Sequence, residues 1–187
     1  SDLPALLDRL ERRYGPPPRP LPRRALDWIL WENAAYLVPD GRRAAAYGAL
    51  AKATGLSAEG ILDRSREELR AIAALGGMHP GGRVAKWIAI AETVRDSFGG
   101  DLQAVLERPL AEARRALKVF PGIGAPGAGK ILLFTRSHAL LALESNGLRV
   151  LLRLGLAKEG RSYAASYRDA AQSLEPFLVG DHVETLE

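Results

Sequence analysis

The apolar residues of this chain recur at helical spacing, and glycines and prolines divide them into short segments. The clearest stripe advances by steps of one or three residues and ends at Gly99-Gly100; its members are Val84, Trp87, Ile88, Ala91 and Val94. Such a period places side chains on one face of a helix. No segment alternates apolar and polar residues as a half-buried strand does. The sequence therefore predicts an all-α fold built from many short helices.

Capping residues and helix breakers predict where several of these helices begin and end. Ser65 and Glu68 have the spacing of a capping box. A helix through Leu26 to Leu37 is expected to end near Pro39, and the prolines of residues 16–20 predict a stiff connector after the first helix. Further helices are expected at about residues 130–136, 146–155 and 162–178.

Basic residues are concentrated in one part of the chain. The 187 residues carry 26 basic and 22 acidic side chains, but residues 108–168 hold 11 basic residues against three acidic ones. This local net charge of +8 favours an anionic partner, nucleic acid first. The alternative is a solvated surface on which arginines cover a helical core.

The absence of cysteine excludes several chemistries. Disulfides, thiol catalysis, Cys-ligated zinc and iron–sulfur clusters all require that residue. His79, His138 and His182 do not have the spacing of metal ligands, so no metal site is predicted. No apolar run reaches the roughly 18 residues of a membrane span, and no secretion leader opens the sequence. We therefore expect a soluble, cytoplasmic protein without a membrane partner, associated with the nucleoid if the source is bacterial.

One glycine-rich segment fits three different motifs. Gly122, Gly124 and Gly127 have the spacing of the dinucleotide-binding fingerprint, which requires a preceding strand and a βαβ unit. Gly124 to Lys130 nearly match a phosphate-binding P-loop, but Ile131 stands where that motif has its magnesium-binding Ser or Thr. A P-loop also follows a buried parallel strand, for which the chain offers no apolar β segment. A P-loop nucleotide-binding protein is therefore a minor alternative.

The third motif fits the surrounding sequence best. An apolar helix over residues 110–119, the turn Pro121-Gly122-Ile123-Gly124 and a second apolar helix make a helix–hairpin–helix. Two glycines let the backbone turn tightly, so that amide groups and a helix N-terminus face a DNA phosphate. Binding of this kind is independent of base sequence. The alternative is a glycine-rich connection without a ligand.

Two segments of the chain carry a family pattern together. The first is Leu117-x-x-Phe120-Pro121-Gly122-Ile123-Gly124, and about twenty residues later comes Leu143-Glu144-Ser145-Asn146-Gly147-Leu148-Arg149-Val150. This pair resembles the endonuclease III superfamily of DNA glycosylases. The resemblance implies a two-domain, all-α helix–hairpin–helix DNA glycosylase fold. Its central domain would span residues 21–137, and residues 1–20 with 138–187 would form a second helical domain, with DNA between the two.

The resemblance also implies the catalytic groups, with two departures from the family pattern. Glu144 stands where the family has a catalytic aspartate, which stabilises the oxocarbenium-like sugar and activates water. The alternative for Glu144 is a carboxylate that merely complements a helix dipole. Pro126 stands where lyase-competent members have a nucleophilic lysine, so Schiff-base chemistry is not expected there. Lys130, one helical turn further on, is the remaining amine that could reach the sugar.

The same resemblance assigns other residues to DNA contact. Asn33 falls where the family has a residue that fills the gap left by an extruded base. Met78, with His79 beside it, falls where an apolar wedge enters the duplex. The expected base pocket consists of Trp31, Glu32 and Tyr36. The other expected DNA contacts are Pro121, Gly122, Ile123, Gly124, Gly127, Lys130 and Arg149. The alternatives are a buried Asn33, a surface-packed Met78 and aromatic residues of the core.

The predicted function is that of a monofunctional N-glycosylase in DNA base-excision repair. Its partner would be double-stranded DNA with a damaged or mismatched base, and the sequence indicates no protein partner. No cofactor and no iron–sulfur cluster are expected, apart from a monovalent cation at the hairpin. The C-terminal end would be packed instead by Tyr163, Tyr167, Ala171, Leu174 and Phe177. The main alternative is a catalytically weak or inactive DNA-binding protein of the same fold.

Overall fold

The computed structural model describes residues 3–16, 22–174 and 176, and the regular elements found there are all helical. The helices are α1 (Leu3–Tyr14), α2 (Ala25–Glu32), α3 (Asp40–Thr54), α4 (Ala58–Leu62), α5 (Arg66–Leu75), α6 (Pro80–Phe98), α7 (Gln103–Leu106), α8 (Leu110–Leu117), α9 (Ala125–Phe134), α10 (Ser145–Arg153) and α11 (Tyr163–Leu174). The all-α prediction is confirmed. Of the expected connector, only Pro16 belongs to the described residues, and Phe177 and His182 lie outside them.

The chain forms two compact units. The larger consists of residues 22–138, and the smaller combines residues 1–21 with 139–187. The larger unit contains α2 to α9, and the smaller contains α1, α10 and α11. The predicted hairpin and the predicted catalytic Glu144 thus belong to different units.

Helix α6 lies at the centre of the core of the larger unit. Its apolar stripe packs against α4 and α5, and Trp87, Ile90, Ala91 and Val94 have no exposed surface. Ile88, which the spacing also placed in this stripe, is half-buried at its margin. Gly99 ends the helix in a left-handed conformation, with a φ of 65°. This is the conformation in which helices commonly end at a glycine.

Helix boundaries confirm one sequence signal and correct another. The capping box is present: Glu68 N donates to Ser65 Oγ over 3.2 Å, and Ser65 N donates to Glu68 Oε2 over 2.9 Å. Helix α2, however, ends at Glu32 and does not continue to Leu37. Asparagine favours helix ends, and the chain leaves the helix at Asn33. Leu37 lies outside any helix, in a left-handed conformation with a φ of 51°.

Helix α9 begins at Ala125, before the predicted residue 130. Pro126 lies in its first turn. A backbone N–H in that turn has no acceptor within the helix, so proline loses no hydrogen bond there, and its fixed φ favours the helix. Gly127 and Gly129 therefore lie inside a helix. The dinucleotide and P-loop interpretations both require a strand before this segment, whereas α8 precedes it. Both interpretations are wrong.

The smaller unit has its own apolar cluster. Leu143, Leu148, Ala157 and Ala170 are buried together, with Leu141, Leu151, Leu152 and Tyr167 packed against them. At the end of α11, Leu174 is buried and Ala171 is half-buried, while Tyr163 is about half exposed. Helix α11 contributes Ala170 and Tyr167 to this cluster.

Tyr47 on α3 offers a test of the larger unit's packing, because burial and the Asp27 carboxylate raise its pKa from 10 to about 12. An unfolded tyrosine ionises near a pKa of about 10, so the unfolded state loses this proton first. The free energy of unfolding should therefore fall as pH rises from about 10 to about 12. Tyr47→Phe should remove that decline, as measured by urea unfolding at about pH 8 and about pH 11. In the exposed control Tyr36→Phe, the free energy of unfolding should fall with pH as it does in the parent. The same fall in Tyr47→Phe would refute this account.

Candidate nucleic-acid interface and active site

The turn between α8 and α9 is anchored by two buried side chains, and part of its backbone is exposed to solvent. The side chains of Phe120 and Ile123 are buried, and Ile123 N donates to Phe120 O over 3.2 Å to close the turn. The backbone of Gly122, Gly124 and Ala125 lies at the surface. Ile123 can therefore offer a ligand only its backbone. The turn leaves the first amide groups of α9, a helix of ten residues, facing solvent.

The two hairpin glycines have different roles. Gly122 has a φ of 75°, and a Cβ added there would lie 3.0 Å from Asn33 Oδ1. Gly124, by contrast, has an extended backbone with a φ of −90°, and a Cβ there would meet no atom closer than 3.8 Å. The expectation that both glycines are needed for a tight turn is thus corrected, since only Gly122 requires glycine. Gly127, inside α9, packs against Ile123.

Asn33 fastens the hairpin to the end of α2. Its Nδ2 donates to Ile29 O over 2.9 Å and to Pro121 O over 2.8 Å. The residue is 6% exposed, and its side-chain amide protons point at these two backbone carbonyls. Pro121, the expected DNA contact, is therefore held from inside the protein. In this structure Asn33 is a buried positioning residue and does not present its side chain to the surface.

An ion pair joins the same two helices a second time. Lys130 Nζ on α9 lies 2.8 Å from Glu32 Oε1 at the end of α2, and both side chains are mostly shielded from solvent. The approach lacks the directionality of a hydrogen bond, so the attraction is that of opposite charges. Lys130 is thus neither a free amine nor part of a phosphate loop.

The three residues expected to form a base pocket have different surroundings. Glu32 pairs with Lys130. Trp31 packs edge-on against Tyr47, with ring centres 5.2 Å apart, and the Arg43 guanidinium lies 5.8 Å from its ring centre. Tyr36 is 75% exposed on the loop after α2. Trp31 is thereby part of the packing of the larger unit, whereas Tyr36 is available at the surface.

The loop between α5 and α6 presents Met78, which is 78% exposed. Beside it, His79 has a left-handed φ of 59° and is exposed. Beneath the loop lies Arg83, which is 7% exposed and donates to the carbonyls of Gly76, Met78 and Ala73 over 3.1, 3.1 and 2.7 Å. Burial lowers the pKa of this guanidinium.

Arg83 was not predicted as a functional residue, although the sequence carries a signal for it. The residue lies four positions before Trp87 and next to Val84, on the apolar side of α6. An arginine on a buried helix face needs hydrogen-bond acceptors, and the nearest unpaired ones are the carbonyls of the preceding turn. The residue therefore shapes the loop that carries Met78.

In the smaller unit, Glu144 begins α10. Its backbone carbonyl accepts from Leu148 N over 2.9 Å, while its side chain is exposed and makes no capping bond to the helix. Buried Leu143 and Leu148 hold the backbone on either side. Arg149 donates to Asn146 Oδ1 within the first turns of the same helix and is exposed. The carboxylate of Glu144 thus lies at the start of α10 and is accessible to solvent.

The carbonyl groups of the hairpin are the groups that the predicted cation would need. A monovalent cation would take oxygen ligands from its carbonyls, but Phe120 O and Pro121 O already accept hydrogen bonds from Ile123 and Asn33. Each of these oxygens keeps a second lone pair, and the cation remains a prediction. Among the described residues, no three His, Asp or Glu side chains are grouped to share a metal. None of the described helices combines the length and apolar character needed to cross a membrane.

The architecture occurs in solved structures of DNA glycosylases. A trapped endonuclease III–DNA covalent intermediate, an estranged-adenine complex, matches with a TM-score of 0.72 at 14% identity, over 98% of this chain and 80% of that chain. The 8-oxoguanine DNA glycosylase of Thermotoga maritima matches with a TM-score of 0.59 at 15% identity, over 98% of this chain and 86% of that chain. No family profile and no curated protein sequence matches. The chain has the helix–hairpin–helix fold of endonuclease III-like DNA glycosylases, which confirms the predicted fold.

Gly122→Ala should destabilise the protein, because alanine disfavours the left-handed conformation by about 1–2 kcal/mol. Its Cβ would also lie only 3.0 Å from Oδ1 of Asn33, the side chain that holds the hairpin. The matched control is Gly48→Ala in α3, where a Cβ meets nothing within 4 Å. That exchange should stabilise the helix by up to about 1 kcal/mol. Urea unfolding measures both changes. Equal midpoints for Gly122→Ala and the parent would contradict the geometry of the turn.

Proposed function

We propose that this protein is a DNA N-glycosylase that hydrolyses the bond between deoxyribose and a damaged or mismatched base flipped out of the duplex. The observation that carries the proposal is the solvent-facing hairpin, held by Asn33, within a fold shared with DNA glycosylases. The exposed carboxylate of Glu144 supplies the acid that such chemistry requires.

The hairpin binds one DNA strand through its phosphates. Exposed amide groups at the start of α9 donate to a phosphate oxygen, and the positive end of the helix dipole adds attraction. Exposed Lys118, immediately before the turn, adds a positive charge. Because these contacts reach only the backbone, they allow the protein to bind any sequence while it searches for a lesion.

Glu144 serves the chemical step. Its carboxylate stabilises the positive charge that develops on the sugar as the base leaves, and it orients or deprotonates the attacking water. The base leaves with the electrons of the C1′–N bond, and water oxygen forms the new bond to C1′. The longer glutamate side chain reaches about one methylene further than aspartate would from the same backbone position.

Neither of the two positions considered for an attacking amine, Pro126 and Lys130, offers a free one in the described part of the chain. Pro126 has no nucleophilic amine, and Lys130 Nζ lies 2.8 Å from the Glu32 carboxylate, which holds it against the end of α2. The chemistry is therefore hydrolysis without strand cleavage.

Glu144→Gln should abolish base release, with a loss of about 100-fold or more, because glutamine cannot stabilise the sugar cation through charge. The assay is a screen of duplexes with oxidised, alkylated, deaminated and mismatched bases. Affinity for a duplex with an abasic-site analogue should be retained. The matched control is Glu159→Gln, an exposed carboxylate of the same unit, which should remain active. An active Glu144→Gln variant would exclude Glu144, and a parent that binds duplexes but releases no base would favour the non-catalytic alternative.

Borohydride should trap no covalent complex with DNA that contains an abasic site, because a Schiff base requires a free amine at the sugar. Denaturing gel electrophoresis after incubation with borohydride tests this directly. A covalent complex that is trapped with the parent but not with Lys130→Ala would show that Lys130 attacks the sugar. That result would overturn the monofunctional assignment.

A further inference from the structure

A basic cavity lies in the larger unit, at the end of α9 that is opposite the hairpin. Its volume is about 410 Å³, and its lining includes Arg23 and Arg24, just before α2, and Arg136, just after α9. The hairpin adjoins the first residue of α9, and a helix of ten residues is about 15 Å long. The basic cavity is therefore separate from the phosphate contacts of the proposed function.

The lining of the basic cavity carries an excess of positive charge. Among its described residues are three arginines and a single acidic residue, Glu107. The Arg23 side chain is exposed, and no carboxylate of the described ranges forms an ion pair with it. A concave surface lined mainly by one sign of charge concentrates ions of the opposite sign. The cavity therefore favours an anionic ligand.

Arg24 is held in place by the protein itself. Its Nε and Nη2 donate to Asp27 Oδ1 over 3.1 and 2.8 Å, and Nη2 also donates to Leu56 O over 3.2 Å. Asp27 is buried, so its carboxylate balances the charge of Arg24 from inside the larger unit. Arg23 and Arg136 are thus the cations that an anion in the cavity would contact.

Other polar groups of the basic cavity are also fixed by hydrogen bonds. His138 Nε2 donates to Arg108 O over 3.0 Å, and Ser137 Oγ donates to Leu132 O over 3.1 Å. Groups that the protein already holds lose little conformational entropy when a ligand binds. The wall of the cavity that follows α9 is therefore formed before a ligand binds.

Arg136 has a backbone conformation that is typical of glycine. It follows Thr135, the C-cap of α9, and its φ of 57° lies in the left-handed region. Helices commonly end at a glycine in this conformation, which other residues rarely adopt. Its N–H donates to Leu133 O over 2.9 Å, as the backbone of any residue could. Because strained backbone is frequent at functional sites, an arginine here indicates a use for its side chain.

The basic cavity adjoins a second cavity of about 380 Å³, and the two share Arg24 and Gln103. The second cavity is lined in part by three buried leucines, Leu26, Leu56 and Leu102. It also includes the exposed carboxylate of Asp101, which repels phosphate and accepts hydrogen bonds from hydroxyl or amino groups. A ligand that spans both cavities would therefore place its anionic group among the arginines and an uncharged, partly apolar portion beside the leucines.

We propose that the two cavities together bind a phosphate monoester whose organic portion has the size of a nucleoside. Arg23 and Arg136 hold the phosphate, since a guanidinium can donate two parallel hydrogen bonds to such an oxyanion. The organic portion lies against the leucines and donates hydrogen bonds to Asp101. Each cavity falls within the range of about 300–1,000 Å³ that is typical of small-molecule sites. This binding site goes beyond the proposed function, because none of its residues belongs to the hairpin.

Calorimetric titration of the full chain tests the site at about pH 8, where a phosphate monoester carries two negative charges. The probes are deoxyadenosine monophosphate, inorganic phosphate and deoxyadenosine. The monophosphate should bind about 10-fold more tightly than inorganic phosphate, because its organic portion buries apolar surface. Deoxyadenosine should bind at least about 10-fold more weakly than the monophosphate. A monophosphate that does not bind, or that binds no more tightly than deoxyadenosine, would overturn the inference. Equal affinity for the monophosphate and inorganic phosphate would overturn the role of the second cavity.

Substitutions of opposite charge effect assign the binding to these residues. Arg136→Gly and Arg23→Gln should each weaken monophosphate binding by about 10-fold, whereas Glu107→Gln should strengthen it by about 2-fold. Glycine adopts the left-handed conformation readily, so Arg136→Gly keeps the turn after α9. Arg23→Gln supplies the same test from an exposed residue outside the helices if Arg136→Gly does not fold. The matched control is Arg66→Gln, an exposed arginine of α5 that lines neither cavity, and it should bind as the parent does.

Affinity for plain duplex DNA separates this site from the DNA interface. Both arginine variants should bind duplex within about 2-fold of the parent, because the hairpin contacts are unchanged. Parent-like monophosphate affinity in both variants would overturn the inference and leave the proposed function untouched. An equal loss of duplex and monophosphate affinity would assign these arginines to the DNA interface and would also overturn it.

Discussion

The hydrogen bond from Asn33 to the carbonyl of Pro121 joins residues 88 positions apart, and the arrangement of the site depends on it. It fixes the hairpin to the end of α2, and the neighbouring Glu32–Lys130 ion pair fixes the helix that follows the hairpin to the same end. Asn33 is buried and Pro121 is half-buried, so removal of the Asn33 amide leaves the partly shielded Pro121 carbonyl without this donor. The geometry of a surface turn is therefore decided by a buried side chain.

Local sequence patterns predicted most of the fold. The stripe of α6, the Ser65–Glu68 capping box and the turn at Gly122 each depend on residues close in sequence, and the structure contains all three. Helix ends were harder. The predicted start of α9 was too late because its glycines were interpreted as helix breakers. In the structure, Pro126 in the first turn and packing of Gly127 against Ile123 stabilise the helix there.

The site was less accessible from sequence, because its contacts are between distant residues. Nothing local to Asn33 indicates that its amide will meet Pro121, and nothing local to Lys130 indicates its partner Glu32. The family resemblance assigned roles by position, but it could not report burial. Asn33 is buried and the half-buried Trp31 packs against Tyr47, while Tyr36 and Met78, assigned by the same reasoning, are exposed. Position in a motif and availability to a ligand are separate properties.

The buried Arg83 determines how the shape of the loop between α5 and α6 responds to pH. Its hydrogen-bond partners in the loop are backbone carbonyls, which do not titrate, and a guanidinium stays protonated throughout the range in which DNA remains double-stranded. A carboxylate partner would have made the fastening sensitive to acid, and a histidine in place of Arg83 would have made it sensitive near neutrality. The loop that carries Met78 is thus held by a contact that keeps its charge and its hydrogen bonds across the acidic and neutral range.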